Sequence, residues 1–159
     1  MNQLAERWSA LKADQPKIRI RDAAKSLGTS ECALLLTEDK ESVSVLQGGD
    51  WVQFIAELGE LGRVMALTRN ENVVIEKHGH YQNVEGSARM GMVLDDGVDL
   101  RLFFSRWKNA LAVRSESRKG PLRSIQFFDE CGEAIHKVYV FADGEVDAFE
   151  KLVERRRSD

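Results

Sequence analysis

The chain is poor in cysteine and proline, has only three histidines, contains no long apolar run, and carries no excess of positive charge. Each scarcity excludes something. Cys32 and Cys131 lie far apart in sequence and outside any metal-ligand spacing, so neither a disulfide framework nor a zinc site is indicated. Free thiols in a reducing compartment are expected. No segment approaches the eighteen or so continuous apolar residues of a membrane span, and Met1 to Ala10 lacks the basic and apolar stretches of a leader. A cytoplasmic protein with no membrane insertion is the expectation. The 23 Lys and Arg against 26 Asp and Glu give a net charge of -3, whereas a dedicated nucleic-acid binder presents a basic face, so nucleic acid is not an expected partner. Any anionic ligand has to be met by local cations. The G-x-S-x-G, Walker, H-E-x-x-H and G-x-G-x-x-G patterns are all missing, and no catalytic residue is assigned.

What is present, 43% hydrophobic and 31% charged residues over 159 positions, fits one globular domain spanning 1–159. Residues 1–62 read as helical. Leu4, Trp8 and Leu11 recur at helical spacing before Pro16, Arg21 to Leu27 stops at Gly28, and a short helix starts from Thr29 or Ser30. Asp50 and Gln53 form a capping-box pattern ahead of the Trp51, Phe54, Ile55, Leu58 stripe. Arg21 to Leu35 also resembles a helix-turn-helix, but its second helix offers Glu31 and few base-reading side chains, so a structural hairpin is the better reading.

From residue 63 to 141 the period switches toward two. Strands are predicted at Val64 to Thr68, Val73 to Lys77, His80 to Val84, Met90 to Leu94, Val98 to Ser105, Ala110 to Ser115, Ser124 to Asp129 and Ala134 to Phe141. Short links make the sheet broad and mainly antiparallel. Residues 143–157 form a closing helix with Val146, Phe149, Leu152 and Val153 on one face. Arg155, Arg156 and Arg157 at its end read as a solvated tail. The fold class is α+β.

The strand V-D-L-R-L-F-F-S-R-W holds the residue of greatest interest. Asp99, Arg101 and Phe103 point to one side and Leu100, Leu102 and Phe104 to the other. A guanidinium and a phenyl ring on one face can hold a flat anionic ligand, while a salt bridge from Arg101 to a cross-strand acid is the plainer alternative. His78 and His80, at i and i+2, share a strand side and are candidate iron ligands, with exposed turn histidines as the alternative. Met90 and Met92 share another face, where core filling competes with ligation. His136, beside Lys137, reads as a surface or ladder residue.

Several stretches taken in order, R-D-A-A-K-S-L-G-T-S-E, A-L-T-R-N-E-N-V-V, G-H-Y-Q-N, D-L-R-L-F-F-S-R-W and S-I-Q-F-F-D-x-x-G-x-A-x-x-K-V-Y-V, resemble the HemS, ChuS and HmuS family of haem-handling proteins. The likeness runs along nearly the whole chain and is best with the first of the family's two tandem copies. It implies an α+β domain in which Arg101 faces the open side of the haem iron, Phe103 packs on the porphyrin and Met92 falls at an apolar pocket position. The family's axial histidine lies in the helix opening the second copy, while the opening helix here, Asn2 to Ala13, has none. Ile75 and Arg89 stand where other first copies often carry histidine.

The resemblance therefore implies a cytoplasmic haem-binding protein for haem trafficking and utilisation after import. Haem is its ligand or substrate, and a homodimer places Arg101 and Tyr139 of each chain near a shared cleft. Haem iron ligation via His78 or His80 belongs to this reading. So do an electron donor or a haem-accepting protein as partner. The alternatives are a haem-degrading enzyme using an external electron donor, and a non-haem interaction or regulatory module.

Overall fold

The alternating and helical stretches fold as fourteen elements in the computed structural model, which describes residues 2–158. In chain order they are α1 (Gln3–Asp14), α2 (Ile20–Leu27), α3 (Glu31–Leu35), β1 (Val43–Leu46), α4 (Trp51–Glu57), β2 (Val64–Arg69), β3 (Val74–Gly79), β4 (Glu85–Gly86), β5 (Met90–Leu94), β6 (Asp99–Phe103), β7 (Trp107–Ser117), β8 (Gly120–Asp129), β9 (Ala134–Val140) and α5 (Val146–Arg156). Local chemistry sets several ends. Gly28 closes α2 in the left-handed region at φ 68°, with its N–H donating to the Ala24 and Lys25 carbonyls. Ser30 caps α3 by accepting from the Ala33 N–H.

The class is α+β, but the strands form two antiparallel sheets instead of one broad one. Six strands pair in the order β1-β7-β8-β9-β2-β3, and three in the order β4-β5-β6. The break comes where a strand was expected at His80 to Val84. That stretch is a loop, turned by Asn83 at φ 52°, whose side-chain amide donates to the Leu94 carbonyl at 2.8 Å. The helical reading of residues 1–62 also missed β1, whose four residues pair with Ala110 to Val113 of β7. So short a strand shows no period of its own.

Helices cover the six-stranded sheet on both faces except at its β3 edge, where Val74 to His78 are exposed. On one, Trp51, Phe54, Ile55 and Leu58 from α4 and its following turn pack with Phe149, Leu152 and Val153 of α5. Phe104, Trp107 and Phe127 join that cluster, and Val93 and Leu102 bring the small sheet onto it. On the other, α1 to α3 enclose Trp8, Ala24 and Leu34, with Cys32 and Leu35 against Leu111 and Phe128. Lys137 of β9 reaches Glu31 there in a buried pair at 2.8 Å.

Two expectations about charged residues are corrected. The Asp50 side chain does not cap α4; its two oxygens accept from the Arg156 guanidinium at 3.0 Å each. Arg156 is not a solvated tail residue. It is 7% exposed, pairs also with Glu57, donates to the Gln47 carbonyl at 2.9 Å and lies over the Phe54 ring at 4.1 Å. Its spacing from Phe149, Leu152 and Val153 places it on the inward face of α5. Hydrogen bonds from Arg156 hold the Asp50 carboxyl below its ordinary range.

Candidate functional site

Strands β2 and β3 alternate, and their registered pairs Thr68 with Ile75 and Ala66 with Lys77 put four side chains on one face. Across from this face runs β6. Its turn presses closely on β3, since a Cβ on Gly97 would lie 2.1 Å from the His78 carbonyl oxygen. Between them opens a cleft of about 440 Å³. Ala66, Leu100, Leu102, Trp107 and Ile135 give it an apolar lining, and Thr68, Lys77, Arg101 and His136 give it polar points. Phe103 and Ile75 line it while remaining 66% and 59% exposed.

Arg101 is half exposed, and its Nη1 donates to Asp99 Oδ1 at 2.6 Å. The acid that pairs with it lies two residues back on the same strand, not across the sheet. Arg101 keeps further N–H groups for a ligand, and in water such an exposed pair holds it by only about 0–1 kcal/mol. Met92 is registered opposite Arg101 and Met90 opposite Phe103, so both thioethers lie on the same outer face of the small sheet as the arginine and the ring.

Behind the cleft sits a buried polar network. His136 is 2% exposed; its Nε2 meets the hydroxyl of fully buried Tyr81, and its Nδ1 lies 2.9 Å from Thr68 Oγ1. Burial drives the His136 imidazole down to about 4, so it is neutral at ordinary pH. Burial likewise pushes the Tyr81 phenol above its ordinary range. Sequence reading gave His136 as a surface or ladder residue; it is a ladder residue, registered with Phe127 of β8, and it is buried. The available signal was parity, because His136 falls in step with Val138 and Val140, both buried on the core face. Thr68 was missed too, and nothing in its local sequence marks it.

The structure brings Arg101 and Phe103 together in the cleft and sets Met92 beside them. It does not bring His78, His80 or Tyr139 there. His78 leaves β3 on the face opposite Ile75 and Lys77 and stacks on Phe141 at 5.8 Å and 14°. His80 lies beyond the end of β3, exposed, with its backbone N–H donating to Asp95 Oδ2 at 3.1 Å. Tyr139 shares the parity of Lys137 and faces the α1 to α3 side; burial, then the nearby charges of Glu31 and Glu76, push its phenol up to about 12. Among the described residues no three His, Cys, Asp or Glu side chains converge on a metal-sized point.

An apolar floor, an exposed ring and two cations in one open cleft are chemically suited to a flat ligand with anionic edges. The chain belongs to the family described as the haemin-degrading HemS.ChuX domain, which matches residues 28–155. It is 38% identical over 149 residues to the hemin transport protein HemS of Yersinia enterocolitica, covering 93% of this chain and 43% of that protein. To the hemin transport protein HmuS of Yersinia pestis it is 36% identical over 151 residues, covering 94% and 44%. The crystal structure of holo-PhuS, a haem-binding protein from Pseudomonas aeruginosa, superposes with a TM-score of 0.91 at 42% identity, covering 98% of this chain and 45% of that one. The chain thus spans less than half the length of each of these three relatives.

Proposed function

We propose that this chain binds haem against the β6 wall of the cleft and takes part in moving haem within the cell after import. The observation that carries the reading is the cleft itself: Arg101 and Phe103 side by side over an apolar floor, in a domain of a haem-handling family. The Phe103 ring and the Ile75 and Leu100 side chains suit a porphyrin face, and Arg101 and Lys77 suit its carboxylates. The wide mouth, with Phe103 two-thirds exposed, suits a ligand that is taken up and handed on.

His136 has both ring nitrogens engaged, and His78 and His80 lie outside the cleft. None of the three histidines is thus free within the cleft, and this reading takes the axial ligand from outside this wall. A second copy of the chain, or further sequence of a longer protein, supplies it and covers the ring. Exposed Met90, Leu94 and Phe103 on one side of the small sheet favour such a cover, since contiguous apolar surface is uncommon on a monomer.

Titrating purified protein with haemin tests the reading, with a stoichiometric Soret shift expected; a titration matching that of an unrelated acidic protein sinks it. Light scattering with and without haemin tests the cover, and a strict monomer in both states rejects the homodimer. Haem degradation is the second reading, favoured by the family's own description. Adding ascorbate to the complex separates the two, because a carrier keeps its Soret band and a degrader consumes it.

A further inference from the structure

We propose that Thr68 donates a hydrogen bond from its hydroxyl to an oxygen acceptor on the ligand seated in the cleft, and that buried His136 and Tyr81 fix the direction of that donor. The inference rests on the haem reading above for the identity of the ligand, but the proton positions follow from the apoprotein alone. Neutral imidazole carries one N–H, so one ring nitrogen donates and the other accepts. Tyr81 is 1% exposed, and among the described residues its hydroxyl oxygen meets no partner except His136 Nε2. Were Nε2 protonated, it would donate to the phenol oxygen and leave the phenol O–H buried with no acceptor. Stranding such a group costs more than a modest tautomer preference can supply.

The network therefore settles with Tyr81 O–H donating to Nε2 and Nδ1–H donating to Thr68 Oγ1. Thr68 Oγ1 is then occupied as an acceptor on its buried side. Its own proton has no acceptor among the described residues, and Thr68 is an exposed residue lining the cleft beside Lys77. An O–H that cannot turn back toward Nδ1 is an oriented donor, prepaid in rotational entropy, which suits an oxygen anion near the cations Lys77 and Arg101. Thr68 is in this account a binding residue, while buried His136 and Tyr81 are positioning residues that act through it.

Two acceptors share this chemistry, a porphyrin carboxylate and an oxygen held on the iron. Nitrogen NMR of [15N]histidine-labelled apoprotein reads the tautomer directly, with the proton of His136 expected on Nδ1; a proton on Nε2 overturns the proposal. Thr68→Val keeps the shape and removes the donor, and it is expected to weaken haemin binding about tenfold, with Thr68→Ser restoring it. Unchanged haemin affinity in Thr68→Val overturns the proposal as well. Haemin dimethyl ester separates the acceptors: a loss confined to haemin assigns the carboxylate, and an equal loss with the ester assigns the iron-bound oxygen. Wild-type protein that binds neither porphyrin fails the functional reading and the donation together, while the nitrogen spectrum still decides the tautomer on its own.

Discussion

The two faces of the six-stranded sheet handle polar and apolar groups in opposite ways. Toward α1 to α3, Lys137 and Glu31 are both buried and satisfy one another, and the helices close over them. Toward β6, apolar Phe103 and Ile75 stand in water while Arg101 and Lys77 keep donors free beside them. A buried charge with an internal partner is architecture, since it needs nothing from outside. Exposed rings beside incompletely paired cations are surface left open for an occupant. Along β9 the two treatments differ by one residue: Lys137 enters the closed side and His136 the side of the cleft.

Substitutions that strand a charge on the closed face should have the largest effect. Lys137→Met leaves Glu31 buried without its partner and is expected to cost about 3–5 kcal/mol of unfolding free energy in urea, with Glu31→Leu in the same chain recovering most of it. A single-variant loss below about 1 kcal/mol would make the helical face as permissive as the cleft and dissolve the contrast. Haemin binding by the double variant should match wild type, because neither residue lines the cleft.

Acid should act through the boundary residue. The folded pKa of His136 is depressed to about 4 from an ordinary 6.5, so the unfolded chain takes up a proton first as pH falls through that interval. Unfolding free energy then decreases with falling pH between about 6.5 and 4, by up to ~3 kcal/mol from this group, and the contribution is fully present above pH 6.5. His136→Gln should flatten that part of the profile. An identical slope in the variant would assign the acid sensitivity to other groups.

Changes on the open face should be the mildest for stability and the most visible in binding. Phe103→Ala is expected to move unfolding free energy by less than about 0.5 kcal/mol yet weaken haemin binding about tenfold, as the lost contact of a ring buried only on binding. Arg101→Ala should likewise spare stability, since its bond to Asp99 is exposed, and should alter the Soret spectrum more than Arg106→Ala does. A large stability loss from either cleft substitution would mean that this face is structural after all.

Much of this was legible in the chain because it is local. The α4 stripe, the β2 to β3 hairpin and the in-out alternation of β6 are all periodicities of a few residues, and alternation alone put Arg101 and Phe103 on one face. Where two segments had to meet, the sequence was silent or misleading. Arg156 looked like one of three tail arginines until α5 packed it against Asp50, Glu57 and Phe54. His78 and His80 seemed a pair, but β3 ends at Gly79, so the i, i+2 rule of a continuous strand stops applying between them.

By itself the sequence determined the α+β class, the outward strand face bearing Arg101 and Phe103, and the chain's likeness to haem-handling proteins, because period and ordered motifs are properties of the chain read in one dimension. Only the tertiary structure decided that the strands divide into two sheets, that the gap between β6 and the β2 to β3 face is the cleft, and that His136 stands behind it with Tyr81 and Thr68. Tyr81, fifty-five residues from His136 in sequence, meets it through a loop turned at Asn83. A contact of that range is chosen by the packing of the whole core, where burying one ring in place of another shifts the balance by about 1.5–3 kcal/mol, and no local pattern encodes the choice.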